Sequence, residues 1–515
     1  MSQALNQSEE LNVKIFRFDP EKDSSPYYDE YRIQRQGAMK IIDLLELIYR
    51  KYDPGLAFKS SCRSGKCGVC SVMVNGRAAL ACRADVPEGT VVIEPLANYP
   101  LIRDLIVDRT IYDQRVKEIS SNASIPVQEK KGALRTVDPS DFDHYDRLTR
   151  CIECLMCDAE CPVLPLSLQE YGGPALFRHD ALLESDRRLL RRGISCSATL
   201  HLDYCSTCKA CSASCPKEID VFEHAIRHLR ATDYFQEHGL SEIQKSYSQI
   251  IQAGGSLFSP FKVPLTEELP EVIEPEISAG RKVIFFPGCM MNMRLQGAGR
   301  AIVRVLESLG TTVYLPREMI CCGGPLLWTG QNEQFEKVFS RNAGVLEKIG
   351  VSTVVAGCAG CGMTLKKEYE GRIKKQNIHS EFRCYDFTEY LTLLKPRYES
   401  RDKLRVTYHD PCHLRRGQGV WEEPRKVLNA MPDIHFVEMQ NSDRCCGGML
   451  AIANRKLAVA LSEQKVEIII NANVDAVTTE CPFCKDMISK ALKKALQSIP
   501  VYTVAELIHT RYSAG

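Results

Sequence analysis

The sequence predicts a multidomain protein of mixed class, in which an α+β segment and a helical segment precede two α/β repeats. Three observations carry this. Over residues 11–110, strand-like apolar runs at 12–18 and 71–74 flank a helical period at 41–49, and the second strand turns at Asn75-Gly76, as in a small mixed domain. Residues 140–235 carry two cysteine runs joined by a charged helical stretch at 182–192, which predicts a mostly helical domain. Beyond residue 280 the chain repeats itself. Cys289 and Cys412 stand 123 residues apart, Cys321 and Cys445 124, and Cys358 and Cys481 123, so a unit of that length is duplicated.

The repeats are expected at 281–402 and 403–515. In the first, a strand at 282–287 ends just before Cys289, a helix at 300–309 precedes a strand at 312–315, and a strand at 352–356 runs into the next cysteines. The second opens with a strand at 405–409 just before Cys412. Such alternation predicts layered domains with parallel strands. Between 236 and 280 the composition turns to Pro, Gly, Ser and Glu, with Gly254-Gly255, Pro260, Pro264, Pro270 and Pro275, and a linker is expected.

Charge excludes some functions. The 66 Lys and Arg nearly cancel 65 Asp and Glu, so no net basic field favours nucleic acid. The first thirty residues are polar and broken by Asp19-Pro20 and Ser25-Pro26, unlike a secretory signal. No apolar run reaches the roughly 18 residues of a spanning helix. The 24 cysteines crowd into short metal-type motifs rather than the framework of a small secreted domain, and thiols kept reduced for metal imply a cytoplasmic setting.

Cys62, Cys67, Cys70 and Cys82 have the spacing C-x4-C-x2-C-x11-C, whose first three members match the plant-type pattern for a [2Fe–2S] cluster. Gly65 and Gly68 among them let backbone amides approach the sulfurs. A redox-silent zinc knot is the alternative, although zinc motifs usually pair two short CxxC units. Cys151, Cys154, Cys157 and Cys161-Pro162 spell C-x2-C-x2-C-x3-C-P, and Cys205, Cys208, Cys211 and Cys215-Pro216 spell it again, the signature of a bacterial two-cluster ferredoxin. In that arrangement the fourth cysteine of each run serves the other cluster. One [4Fe–4S] cluster is then expected on Cys151, Cys154, Cys157 and Cys215, and a second on Cys161, Cys205, Cys208 and Cys211.

Each repeat offers five thiols: Cys289, Cys321, Cys322, Cys358 and Cys361, then Cys412, Cys445, Cys446, Cys481 and Cys484. That is one more than a cubane or a tetrahedral zinc uses, so a larger centre or an open coordination state is implied. Adjacent cysteines in a strand point to opposite faces, and both reach one centre only from a tight turn, which Gly323-Gly324 and Gly447-Gly448 permit. Zinc with an idle fifth cysteine is the alternative. His413 directly follows Cys412 and is a candidate catalytic proton donor to a departing thiolate, or else a structural histidine. Arg415, Arg416 and Arg444 are candidate partners for an anionic group, or solvated surface arginines. Cys196 and Cys384 fall outside every motif and are read as structural.

Residues 11–235 resemble the iron–sulfur subunit of the succinate dehydrogenase and fumarate reductase family, in the order of their cysteine runs and in Glu94-Pro95-Leu96 through Pro100-Leu101-Ile102-Arg103-Asp104-Leu105. The resemblance implies a β-grasp plant-type domain, a helical bacterial-type ferredoxin domain, and a separate FAD-carrying catalytic partner with the dicarboxylate site. Most members lack a cysteine at the position of Cys208 and hold a [3Fe–4S] cluster beside a quinone site, so Cys208 implies a [4Fe–4S] cluster and argues against a quinone there. Residues 281–515 resemble the Cys-Cys-Gly domains of the heterodisulfide reductase B-type subunit. That likeness implies two non-cubane [4Fe–4S] clusters and a disulfide of coenzyme M and coenzyme B as the reacting species. Splitting or forming a disulfide moves two electrons, one for each cluster. The fusion resembles the B-type subunit family of thiol:fumarate reductases of methanogenic archaea, which couple oxidation of those thiols to reduction of fumarate to succinate.

Gly297-Ala298-Gly299 lacks a third glycine and does not directly follow a strand, so no flavin or nicotinamide site is expected in this chain. Two other readings stay open at this level. One is a quinone-linked succinate dehydrogenase or fumarate reductase whose Cys-Cys-Gly region makes a peripheral membrane contact. The other is a scaffold with zinc in the C-terminal motifs.

Overall fold

The computed structural model describes residues 10–511 apart from 36, 122, 125–138, 187–188, 192–195, 255, 260–262, 320, 377–381 and 399–401. The chain forms two compact units, Met1–Leu202 with Ala210–Leu229, and Asp203–Lys209 with Arg230–Gly515.

In the first unit, β1 (Glu10–Arg17) and β2 (Tyr27–Gln34) form an antiparallel hairpin. Strands β3 (Ser71–Val74) and β4 (Arg77–Leu80) form a second, turning at Asn75-Gly76 as expected. Strand β5 (Thr90–Glu94) lies between them, parallel to β1 and antiparallel to β3, giving the order β2-β1-β5-β3-β4. Alternation in β1 buries Leu11, Val13 and Ile15 on one face. Helix α1 (Ile41–Lys51) covers that face with Ile41, Ile42, Leu44, Leu45 and Ile48, which recur at helical spacing. Buried Asp104 ties the segment after β5 to this core, accepting from the backbone N–H groups of Phe18 and Ala57 and from Arg17 Nε.

The rest of this unit is mainly helical. Helix α2 (Pro174–Ser185) starts on proline, and its backbone N–H at Ala175 donates to Asp158 at 2.8 Å. The same buried carboxylate accepts from Tyr99 Oη at 2.6 Å, and Asn98 donates to the Asp158 carbonyl at 2.7 Å. Asp158 therefore joins the segment after β5, the first C-x2-C-x2-C-x3-C run and α2.

In the second unit each repeat builds a parallel sheet. The first repeat has β7 (Arg281–Phe286), β8 (Thr311–Tyr314), β9 (Thr353–Ala356) and β10 (Arg383–Asp386), preceded by a short edge strand β6 (Val272–Ile273), in the order β6-β8-β7-β9-β10. The second has β11 (Leu404–Tyr408), β12 (Ile434–Phe436), β13 (Ala476–Thr478) and β14 (Val501–Tyr502), in the order β12-β11-β13-β14. The antiparallel β6 aside, the two orders are the same, as duplication requires. The two repeats also pack on one another through a shared core. Val283, Phe285 and Val355 belong to the same buried cluster as Val406, Tyr408 and Ala476.

The stretch expected to be a linker is built into the second unit. It forms helices Asp233–His238, Glu242–Lys245, Tyr247–Gly254 and Leu265–Glu268 and strand β6, while Gly255 and Pro260 lie outside the described residues. Leu240, Tyr247, Ile251 and Leu265 are buried, and Tyr247 Oη donates to the Ile452 carbonyl. The helices run only four to eight residues, too short for a 3.6-residue period to stand out against the Gly and Pro around them. Among the described residues no helix is long and apolar enough to cross a membrane.

Candidate metal centres

The four cysteines of the first motif occupy the loop from α1 to β3 and the turn after β4. Backbone amides of Ser64 and Lys66 point at Cys62 Sγ, at 3.5 and 3.3 Å, and pull that thiol down to about 5. Cys67 is its neighbour, whereas Cys70 lies against Cys82 and is pushed up to about 11 by burial. Gly68 has φ +71°, and a Cβ there would stand 2.4 Å from the Ile152 carbonyl oxygen and 3.0 Å from Cys154. The bare backbone of this loop thus lets the first cysteine set approach the next.

Cys151, Cys154, Cys157 and Cys215 line one small cavity with Arg178. These are three cysteines of one run and the fourth of the other, as the swapped arrangement requires. Burial raises the thiols of Cys151 and Cys157 and pushes Cys154 up to about 12. A buried set of this kind becomes anionic beside a metal cation, which suits it to a cluster. Of the other expected set, Cys161 and Cys211 belong to the first unit and Cys205 and Cys208 to the second.

In the second unit the candidate ligands sit where parallel strands end and helices begin. Cys289 follows β7 in helix Gly288–Met293, and Cys358 follows β9 as the N-cap of Ala359–Thr364. Cys412 opens helix Cys412–Gln418 after β11, and Cys481 caps Pro482–Lys494 after β13. Helix N-termini favour thiolates, so both repeats aim positive dipole ends at their sulfurs. The Cys-Cys pairs turn as expected: Gly323 and Gly447 both have φ +80°. At Gly447 a Cβ would stand 2.4 Å from the Ala458 carbonyl oxygen.

All ten cysteines line a single cavity of about 40 Å³. Contacts run through the first set from Cys289 to Cys321, Cys322, Cys361 and Cys358. Cys358 then meets Cys481 of the second set, which meets Cys484, whose sulfur is 3.1 Å from that of Cys446. Cys445 touches both Cys412 and Cys208. The two five-cysteine sets therefore adjoin through Cys358 and Cys481, and Cys208 reaches the second set directly.

His413 lines the cavity and its ring lies 4.6 Å from that of Trp328. Its Nε2 is 3.0 Å from the Thr207 carbonyl, which only accepts, so Nε2 carries the proton. Burial holds the ring down to about 4 and hence neutral near pH 7. Thr207 Oγ1 lies 3.1 Å from Nε2, and the other ring nitrogen, Nδ1, faces Gly360, where no side chain stands between it and the cavity. Two of the three candidate arginines already have acidic partners. Arg415 pairs with Asp410 at 2.9 Å, and Arg416 pairs with Asp443 and donates to the Cys208 carbonyl, while Arg444 lies outside the lining of the cavity. Cys196 and Cys384 are buried apart from the described cavities of candidate ligands. Trp328, Met449 and Phe483 also line the central cavity. No spacing marks such apolar residues in the sequence.

Comparison with known proteins follows this division. A 2Fe-2S iron-sulfur cluster binding domain matches residues 12–114, a 4Fe-4S dicluster domain 147–219, and a Cysteine-rich domain matches twice, at 283–366 and 406–489. The B-type subunit of the fumarate reductase (CoM/CoB) of Methanothermobacter marburgensis is 36% identical over 512 residues, covering 98% of this chain and 99% of that protein. The chain belongs to this fumarate reductase (CoM/CoB) B-type family. Another relative, the D-type subunit of the dihydromethanophenazine:CoB--CoM heterodisulfide reductase of Methanosarcina barkeri, is 28% identical; the match covers 70% of this chain and 93% of that protein. A crystal structure of a hypothetical protein from Helicobacter pylori matches 97% of the chain and 94% of its own at a TM-score of 0.60 and 14% identity, a likeness of fold alone.

Proposed function

We propose that this chain is the iron–sulfur and thiol-active subunit of an oxidoreductase that couples oxidation of coenzyme M and coenzyme B thiols to reduction of fumarate in an FAD-carrying partner. Family membership supports the reaction, and one observation of the structure carries its location: two five-cysteine sets adjoin around a single buried cavity. Joining two thiols to one disulfide releases two protons and two electrons, and fumarate takes up two of each to become succinate. A reacting sulfur pair held between two adjoining centres can pass one electron to each.

The clusters supply the electron relay: one [2Fe–2S] on Cys62, Cys67, Cys70 and Cys82, one [4Fe–4S] on Cys151, Cys154, Cys157 and Cys215, another on Cys161, Cys205, Cys208 and Cys211, and a non-cubane [4Fe–4S] in each repeat. The chain's own residues set the rest. Gly68 allows close approach of the first two sets, and Cys208 touches Cys445. With clusters bound, Cys208 and Cys445 would hold neighbouring centres, which makes the second repeat the one adjoining the relay. His413 offers Nδ1 to the proton of an entering thiol, with its ring held by Trp328 and Thr207. The walls of the cavity are almost wholly apolar and sulfur, a low-dielectric surround for the reacting pair.

An anaerobic assay of the complex of this chain with its flavoprotein tests the reading. Succinate should form from fumarate with both thiols, one heterodisulfide per succinate. Turnover with a quinol and none with thiols would refute it.

A further inference from the structure

The repeats are not equivalent at their metal-facing ends. The offset of 123 residues that matches Cys412 to Cys289 also matches His409 to Phe286, and Lys465 to Asn342. In the first repeat Asn342 Nδ2 donates to the Cys321 carbonyl at 3.1 Å, and Phe286 is an apolar core residue. In the second, Lys465 and His409 do something different.

His409 is 1% exposed at the end of β11. Its Nδ1 is 3.0 Å from the Ser442 carbonyl oxygen, which accepts and cannot donate, so Nδ1 carries the proton. The buried Lys465 ammonium also donates to Ser442 O, at 3.0 Å, and to Asn441 O, at 2.9 Å, which holds that carbonyl in place. The other nitrogen, Nε2, is buried, bonds to no nitrogen or oxygen, and has the Cys446 sulfur as its neighbour. It converges with Cys446 Sγ and Cys484 Sγ, all three atoms lying within 4.8 Å of one another. An imidazole lone pair held against two sulfurs is repelled when those are thiolates, unless a cation sits among them. An N–H of the opposite ring nitrogen fixed to a backbone carbonyl is the arrangement that orients a histidine toward a metal.

We infer that His409 Nε2 is a sixth ligand of the iron–sulfur centre in the second repeat, alongside Cys412, Cys445, Cys446, Cys481 and Cys484, and that the first repeat has no counterpart. The inference rests on the reading of the second repeat as an iron–sulfur site. It assigns the two centres different roles: a neutral nitrogen donor on iron raises the reduction potential relative to thiolate ligation, and the centre so modified is the one whose Cys445 meets Cys208.

The test uses the whole complex, purified anaerobically from cells fed ¹⁵N-histidine or unlabelled histidine. Electron–nuclear double resonance on the paramagnetic state of the second repeat should show a directly bound nitrogen whose splitting changes with the isotope. The coupling should vanish in His409→Phe, which places the first repeat's residue at this position, and persist in His413→Gln. His409→Cys, which exchanges nitrogen for sulfur, should lower the midpoint potential of that centre and leave that of the first repeat unchanged. Iron present with no histidine coupling in the native complex, or a coupling that survives His409→Phe or disappears in His413→Gln, overturns the assignment of His409 while leaving the thiol-active reading intact. Absence of iron from both repeats overturns both.

Discussion

Replacing Gly447 with alanine isolates the turn on which the second cysteine set depends. Gly447 has φ +80°, and an L residue in the left-handed region costs about 1–2 kcal/mol. Its Cβ would stand 2.4 Å from the carbonyl oxygen and 3.0 Å from the Cα of Ala458, which is fixed in helix Arg455–Asn471. Backbone cannot swing aside as a side chain does, and overpacking of this kind adds about 1–3 kcal/mol. The sum is about 2–5 kcal/mol, on the order of 2–4 °C of melting temperature for each kcal/mol. Gly344→Ala is the matched control. It lies in helix Asn332–Ile349 with open space around its Cβ position, and alanine there should stabilise by roughly 0.5–1 kcal/mol. Melting followed by circular dichroism, with iron analysis of the same samples, should show Gly447→Ala lower in both temperature and iron and Gly344→Ala equal or higher. A Gly447→Ala protein with native melting and full iron would show that the Cys-Cys turn does not need its left-handed glycine.

Three other outcomes are expected. Arg425→Met removes the guanidinium that reaches buried Asp410 and also Glu438; because Asp410 keeps Arg415 and Ser442, the loss of stability in denaturant unfolding should lie at the lower end of the roughly 3–5 kcal/mol of a broken buried pair. His144 is held down to about 4 by burial and by its neighbours His228 and His224. The unfolded chain therefore binds a proton that the folded one refuses, and stability falls as pH drops from about 6.5 toward 4; His144→Gln should flatten that decline in melting temperature, and equal slopes would count against it. His413→Ala should slow thiol-dependent fumarate reduction about 10²-fold with iron content unchanged, and unaltered turnover would remove the histidine from the reaction.

Local spacing carried much of this architecture because metal motifs are local. Three sulfurs on one short loop must face a small centre, so Cys62, Cys67 and Cys70 announce themselves, and a constant offset between Cys289 and Cys412 announces a duplicated fold. The strand at 71–74 and the paired glycines after each Cys-Cys are similarly short-range, set by turn sterics. The segment at 236–280 was not legible for the opposite reason. Its helices are short, and burial of Tyr247 and Leu265 is decided by surfaces far away in the chain.

What the sequence by itself determined is which residues are eligible to hold metal and that the last two sets are copies of each other, since eligibility follows from side-chain chemistry and repetition from numbering. Only the tertiary structure decided that Cys358 meets Cys481, that Cys208 touches Cys445, that Arg415 and Arg416 are already paired, and that His409 faces sulfur where Phe286 fills the core. Those outcomes depend on two sheets sharing one core, and such packing brings together residues whose separation along the chain carries no trace of their contact.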